Sequence, residues 1–154
     1  MGFRSVQRVA LYLLFGFLGL ASVASAADLD LSAYKGKVVY LDFWASWCTP
    51  CRQSFPWMSE IQAMRGQNGL VVIAVNVDHD KDLAEEFLKR YAPKFKIVFD
   101  SKGEIASQYK VKDMPTSYLI GRDGRVRYTH EGFLPTKEGS YDAQIQELLN
   151  EQPH

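Results

Sequence analysis

Short apolar runs alternate along the chain with longer stretches of helical periodicity. Residues 37–43, KVVYLDF, and residues 70–78, LVVIAVNVD, are nearly continuous runs rich in β-branched and aromatic side chains, the pattern of strands covered on both faces. Between them, Phe55, Met58, Ile61 and Met64 recur at three-residue steps, which predicts a helix over 51–64 with one buried stripe, closed by Arg65 and Gly66. Pro56 falls inside it and predicts a kink. A second helix is expected over 80–91, with Leu83, Phe87, Leu88 and Tyr91 inward, followed by a short strand at 96–100 and a short helix at 104–109. Pro115 stands directly before a strand at 116–120, and the turn GRDG at 121–124 joins it to a second strand within 125–133 as an antiparallel hairpin. Tyr141, Ile145, Leu148 and Leu149 mark a final helix over 136–150. The alternation predicts an α/β fold: a central mixed sheet flanked by helices, with parallel pairs and right-handed crossovers.

The first 26 residues follow a different rule. Arg4 and Arg8 precede an apolar stretch interrupted by glycines, too short to span a membrane comfortably, and Ala24 and Ala26 form a small-residue cleavage site. This predicts a secretory signal peptide at 1–26, or an uncleaved amino-terminal anchor that would place the protein at the membrane, and a single domain at 27–154. In either form the domain is expected outside the cytoplasm, in the periplasm. Without that segment the chain holds 16 Lys and Arg against 18 Asp and Glu, a net of −2, which provides no basic footprint for nucleic acid.

The two cysteines, Cys48 and Cys51, sit three positions apart where the first strand ends and the first helix begins. Two cysteines are too few for a disulfide scaffold, so stability must come from the core. Four readings of the pair remain open on the residues themselves. Zinc needs further ligands, but His79, His130 and His154 are scattered without ligand spacing. Copper(I) suits two thiolates joined by Met114 or a histidine, as in a copper chaperone. An inert disulfide over so short a loop would stabilise little. Redox exchange fits the placement best, because a helix amino terminus favours an anion and lowers a thiol pKa from ~8.5 toward ~7, and Cys51 one turn later lies within disulfide reach as a resolving thiol.

The segment LDFWASWCTPC resembles the active-site segment of the thioredoxin superfamily. LSAYKGKVVYLDFWASWC together with MPTSYLIGRDGRVRYTHEGF is similar to the TlpA-like branch of exported thioredoxins, and the likeness runs from Leu31 to Leu149. The resemblance implies a thioredoxin-like fold with a helix–strand insertion, about 79–100, before the strand that follows the cis-proline. It implies that Pro115 is that cis-proline, facing Cys48, with Met114 and Thr116 beside it in a substrate groove together with Trp47, Thr49 and Pro50. Trp47 matches the surface tryptophan that walls the nucleophile, whereas Trp44 is divided between that role and core packing. Asp42 matches the buried acid beneath Cys51, a base or proton store whose pKa desolvation would raise. The lysine that accompanies this acid in cytosolic thioredoxins is replaced by Ala74, so the acid is expected to lack a cationic partner.

The function so implied is an exported thiol:disulfide oxidoreductase that needs no cofactor beyond its own redox-active disulfide. Its expected partners are protein disulfides or dithiols, such as apocytochrome c or a metallochaperone, with a membrane dithiol carrier as electron donor. An oxidant or isomerase of the same fold, a copper(I) chaperone and a non-catalytic adaptor are the alternatives.

Overall fold

A computed structural model describes residues 29–152; the expected signal peptide lies outside the described residues. Strands β1 (Val38–Trp44), β2 (Leu70–Asn76), β3 (Lys96–Phe99), β4 (Thr116–Ile120) and β5 (Val126–Glu131) form one sheet in the order β3-β2-β1-β4-β5. The β1–β2 and β2–β3 pairs are parallel, while β4 runs antiparallel to both β1 and β5, which makes the sheet mixed. The helices are α1 (Thr49–Arg65), α2 (Lys81–Tyr91), α3 (Glu104–Gln108) and α4 (Glu138–Asn150). The expected insertion is therefore present as α2 and β3. Among the described residues no helix is long and apolar enough to cross a membrane.

Strand alternation divides the core. Val38, Tyr40 and Trp44 of β1 join one cluster with Cys51, Phe55 and Met58 of α1, Ala84 and Phe87 of α2, and Ile145 and Leu148 of α4. Val39, Leu41 and Phe43 face the other way, onto Ile105 and Ala106 of α3. Because its two faces are both covered, β1 is buried at every position, as its unbroken apolar run requires.

Two side-chain expectations fail. Met64 is 55% exposed rather than in the buried stripe of α1. At about 100° per residue, the nine steps from Phe55 to Met64 turn through about two and a half turns and end on the opposite side of the helix. Cys51, Ser54, Phe55, Trp57, Met58 and Ile61 form the buried face instead. Leu83 is 50% exposed because the inner stripe of α2 is centred on Ala84 and Phe87, with Leu88 and Tyr91 partly buried beside it. Helix α1 also begins two residues earlier than expected, since Pro50 is compatible with the first helical turn, and it runs unbroken through Pro56.

The hairpin forms as its turn residues require. Gly124 takes a positive φ of 79°, where a side chain is disfavoured, and the Gly121 N–H donates to the Arg125 carbonyl at 2.9 Å.

Candidate active site

The end of β1 leads into a three-residue loop, Ala45, Ser46 and Trp47, that is held from below. Buried Asp78, just past β2, accepts hydrogen bonds from the Ser46 N–H at 2.8 Å, the Ser46 hydroxyl at 3.0 Å and the Asn76 amide at 2.7 Å. Charge-assisted acceptance of three donors makes this carboxylate the fixed point of the loop. The Cys48 N–H then closes the turn on the Ala45 carbonyl at 3.1 Å.

Cys48 is the residue that caps α1. Its backbone is extended, and its sulfur accepts the Cys51 N–H at 3.2 Å, in the place where a serine or aspartate oxygen would satisfy a free amide of the first helical turn. Cys48 and Cys51 are joined as a disulfide, with Cα atoms 5.3 Å apart. Cys51 is wholly buried and Cys48 is 3% exposed, so Cys48 is the edge of the pair that meets solvent. Trp47, 65% exposed, and exposed Thr49 flank it on the outside, while Pro50 is half-buried. Beside the loop, Ser46, Arg52, Leu83, Phe87, Arg90 and Tyr91 line a cleft of about 280 Å³.

The second arm of the site comes from β4. The Met114–Pro115 peptide is cis. Thr116 pairs with Phe43, so Pro115 comes level with Trp44, at the end of β1 from which the Cys48 loop departs. The Pro115 carbonyl accepts the Gly132 N–H at 2.7 Å, and the Thr116 hydroxyl donates to the Asp113 carbonyl at 2.7 Å, which fixes this segment from both sides. Met114 is partly buried against both core clusters. Trp44 belongs to the core: it is buried and packs edge-on to Phe55, with centroids 4.7 Å apart.

Asp42 occupies the α1-facing side of β1, between Tyr40 and Trp44, and is buried. Its register partners are Ala74 on one side and Ser117 on the other, so no lysine stands beside it, as the sequence anticipates. Its Oδ2 has no hydrogen-bond partner, and desolvation holds its pKa well above the ordinary carboxylate value. Between the ordinary value near 3.8 and that raised value, the folded chain holds a proton that the unfolded chain has lost, so this group's contribution to stability declines as pH rises through the window. Asp42→Asn is expected to remove that decline, gaining stability relative to the parent as pH increases. Urea unfolding of both proteins at several pH values from 4 to 8 checks it; a constant difference between them contradicts the assignment.

Sequence reasoning missed Asp78, Ser117 and His130. His130 on β5 places Nδ1 3.3 Å from the Ser117 hydroxyl and Nε2 2.8 Å from Gln144 Oε1, and the Ser117 hydroxyl is 2.8 Å from that of Tyr40. Only the register of the sheet brings these groups together. His79 lies elsewhere, with Nδ1 2.8 Å from the Ser101 carbonyl, and His154 is outside the described residues. Among the described residues, no three His, Cys, Asp or Glu side chains gather as a metal site would require.

A mixed five-stranded sheet, a disulfide at a strand-to-helix junction and a cis-proline at the same end of the neighbouring strand define a thioredoxin-like protein. The chain belongs to the Redoxin family, whose model matches residues 21–145. It is 39% identical over 98 residues to the thiol-disulfide oxidoreductase ResA of Bacillus thuringiensis subsp. konkukian, covering 64% of this chain and 57% of that protein. It is 38% identical to the ResA of Geobacillus kaustophilus, covering 70% of this chain and 62% of that one. The chain thus spans about three fifths of the length of these curated relatives. A crystal structure from Chlorobium tepidum, named as a candidate thiol:disulfide interchange protein DsbE, superimposes with a TM-score of 0.76 at 48% identity, covering 78% of this chain and 85% of that one. StoA from Bacillus subtilis superimposes with a TM-score of 0.61 at 29% identity, covering 70% of this chain and 82% of that one.

Proposed function

We propose that this protein is an exported thiol:disulfide oxidoreductase that reduces partner disulfides through Cys48 and Cys51. The observation that carries the reading is the position of Cys48 as the cap of α1, its sulfur already accepting the Cys51 N–H. The same amide and the helix dipole favour a thiolate there once the pair is reduced. That thiolate attacks a partner disulfide, the near sulfur of the partner becomes bonded to Cys48, and the far one leaves as a thiolate. Cys51 then attacks Cys48, re-forming the internal disulfide and releasing the second partner thiolate. Two electrons pass to the partner, and a dithiol donor must restore the pair.

Pro115, Met114 and Thr116 serve in this reading as the wall along which a partner strand lies, with Trp47, Thr49 and Pro50 opposite. Asp42 acts as base for the resolving Cys51. The amino-terminal pattern around Arg4, Arg8 and Ala26 supports a periplasmic site of action, and the names of the ResA and DsbE relatives support the reaction class. The proposed partners are apocytochrome c or a metallochaperone, with a membrane dithiol carrier as donor.

A peptide bearing an oxidised C-x-x-C-H haem-attachment motif tests the substrate class. The reduced protein is expected to convert it to the dithiol faster than a scrambled-sequence disulfide peptide of equal charge, followed by mass spectrometry after acid quenching. Equal rates for the two peptides would remove the apocytochrome assignment.

A further inference from the structure

Six arginines lie among the described residues, and four of them are engaged. Arg65 holds Asp142 at 2.6 Å, Arg122 donates to the Gly36 and Leu149 carbonyls at 2.8 and 2.9 Å, Arg125 faces Asp123 at 3.6 Å, and Arg127 holds Glu151 at 2.7 Å. The other two are Arg52 and Arg90, whose side chains make no hydrogen bond or ion pair among the described residues. Both line the same cleft of about 280 Å³ beside the Cys48 loop. They reach it from different elements, Arg52 from the start of α1 and Arg90 from the last turn of α2. Helix α2 does close the Lys81–Glu85 pair, at 3.1 Å, yet Glu86 and Arg90, at the same spacing, form none.

The remainder of the cleft is apolar. Leu83, Phe87 and Tyr91 follow one another at four-residue steps along α2, and the Phe87 and Tyr91 rings stack with centroids 4.3 Å apart. Leu83 is exposed because it stands at the rim of this cleft instead of in the core. The volume falls below the roughly 300–1,000 Å³ of small-molecule sites, which suits one or two side chains of a protein partner. Arg52 follows Cys48 by four residues, one helical turn or about 5.4 Å along α1, and helical side chains lean toward the amino terminus. The cationic part of the cleft therefore adjoins the edge of the disulfide that meets solvent.

We propose that this cleft is a specificity subsite for an acidic side chain of the disulfide partner, two residues away from the partner's reactive cysteine. Charge selects the occupant. Two unpaired guanidinium groups against the one carboxylate of Glu86 leave the lining with a net of +1, on a domain whose own net is −2. Asp78, beneath Ser46, is buried and already accepts from the Ser46 N–H, the Ser46 hydroxyl and Asn76. Spacing selects the position. Residues two apart in an extended chain share a face and lie about 6.6 Å from each other, close to the helical turn that separates Cys48 from Arg52. A partner strand whose cysteine meets Cys48 thus presents its second neighbour to the cleft. The inference rests on the reading of Cys48 as the group that attacks partner disulfides, and it makes α2, part of the insertion, a determinant of which partners are reduced.

Two disulfide-linked peptide dimers test it. Each strand holds one cysteine in an otherwise uncharged sequence, with aspartate in one dimer and lysine in the other at the positions two residues before and after that cysteine. Rates are followed by mass spectrometry after acid quenching and are divided by the rate of the same dimer with dithiothreitol. The reduced protein is expected to prefer the aspartate dimer by about tenfold at about 50 mM salt, and by about twofold at about 500 mM, where exposed charges are screened. Arg52→Gln and Arg90→Gln should each cut the preference to about threefold and the double variant R52Q/R90Q to about one, whereas Glu86→Gln should raise it. A ratio of two rates on one protein cancels any effect of Arg52 on the Cys48 thiolate, and glutamine is well tolerated at exposed helical positions. Equal rates for the two dimers, or faster reduction of the lysine dimer, overturn the subsite. A preference that survives in R52Q/R90Q arises elsewhere and overturns the assignment to this cleft. Reduction of neither dimer overturns the oxidoreductase reading and this inference with it.

Discussion

Cys48→Ser is expected to lower the rate of disulfide reduction by at least about 10³-fold, the scale on which removing a covalent nucleophile acts. A serine hydroxyl retains the helix cap, since an oxygen accepts the residue 51 N–H as readily as sulfur does, so the loss should be chemical, with melting of the reduced forms little changed. Cys51→Ser should differ in kind. Its Cys48 still attacks, but nothing resolves the product, so a covalent complex with the disulfide partner accumulates and disappears on adding dithiothreitol. Non-reducing mass spectrometry of both variants with a model disulfide peptide reads the outcome. A Cys48→Ser protein that still forms the covalent complex through Cys51 would reverse the two roles, and wild-type rates in either variant would remove the pair from the chemistry.

The second large effect is on the core beneath the disulfide. Phe55 is buried on the second turn of α1, and its ring meets Trp44 at 4.7 Å, Phe87 at 4.8 Å and Phe95 at 5.3 Å between centroids. Residues from β1, α1, α2 and the segment before β3 therefore converge on one ring. Phe55→Ala is expected to cost about 4 kcal/mol, the lost transfer energy plus a cavity that these large rings cannot close. Against a total of roughly 5–15 kcal/mol for a domain, that leaves a protein folded at 25 °C but with a much lower urea midpoint. A loss below about 1 kcal/mol would contradict the placement of Phe55 at the centre of this cluster.

The order of the elements was legible because β1 and β2 are buried on both faces and so appear as unbroken apolar runs that no amphipathic helix would show. The cysteine pair was legible for a local reason: a three-residue spacing at a strand-to-helix boundary fixes the chemistry within one turn. Pro115 could be placed through the family resemblance. Other features depended on register, which is not carried by any single segment. Ser117 and His130 are unremarkable residues of two strands until Asp42 pairs with one and that residue with the other. Asp78 likewise serves Ser46 across a separation of 32 residues. Met64 shows the opposite failure, in which a regular local spacing of three drifts around a helix of 3.6 residues per turn and leaves the core.

The proposed function requires that Cys48 and Cys51 form a reversible couple that donates electrons. Its equilibrium reduction potential can be followed by tryptophan fluorescence in graded dithiothreitol or glutathione buffers, with Trp44 and Trp47, just before Cys48 in sequence, as reporters. One two-electron transition is expected near or below thioredoxin's value of about −270 mV, where a dithiol is a strong reductant. A potential near about −120 mV would reverse the proposed electron flow and make the protein an oxidant, and no reversible transition at all would contradict the redox function itself.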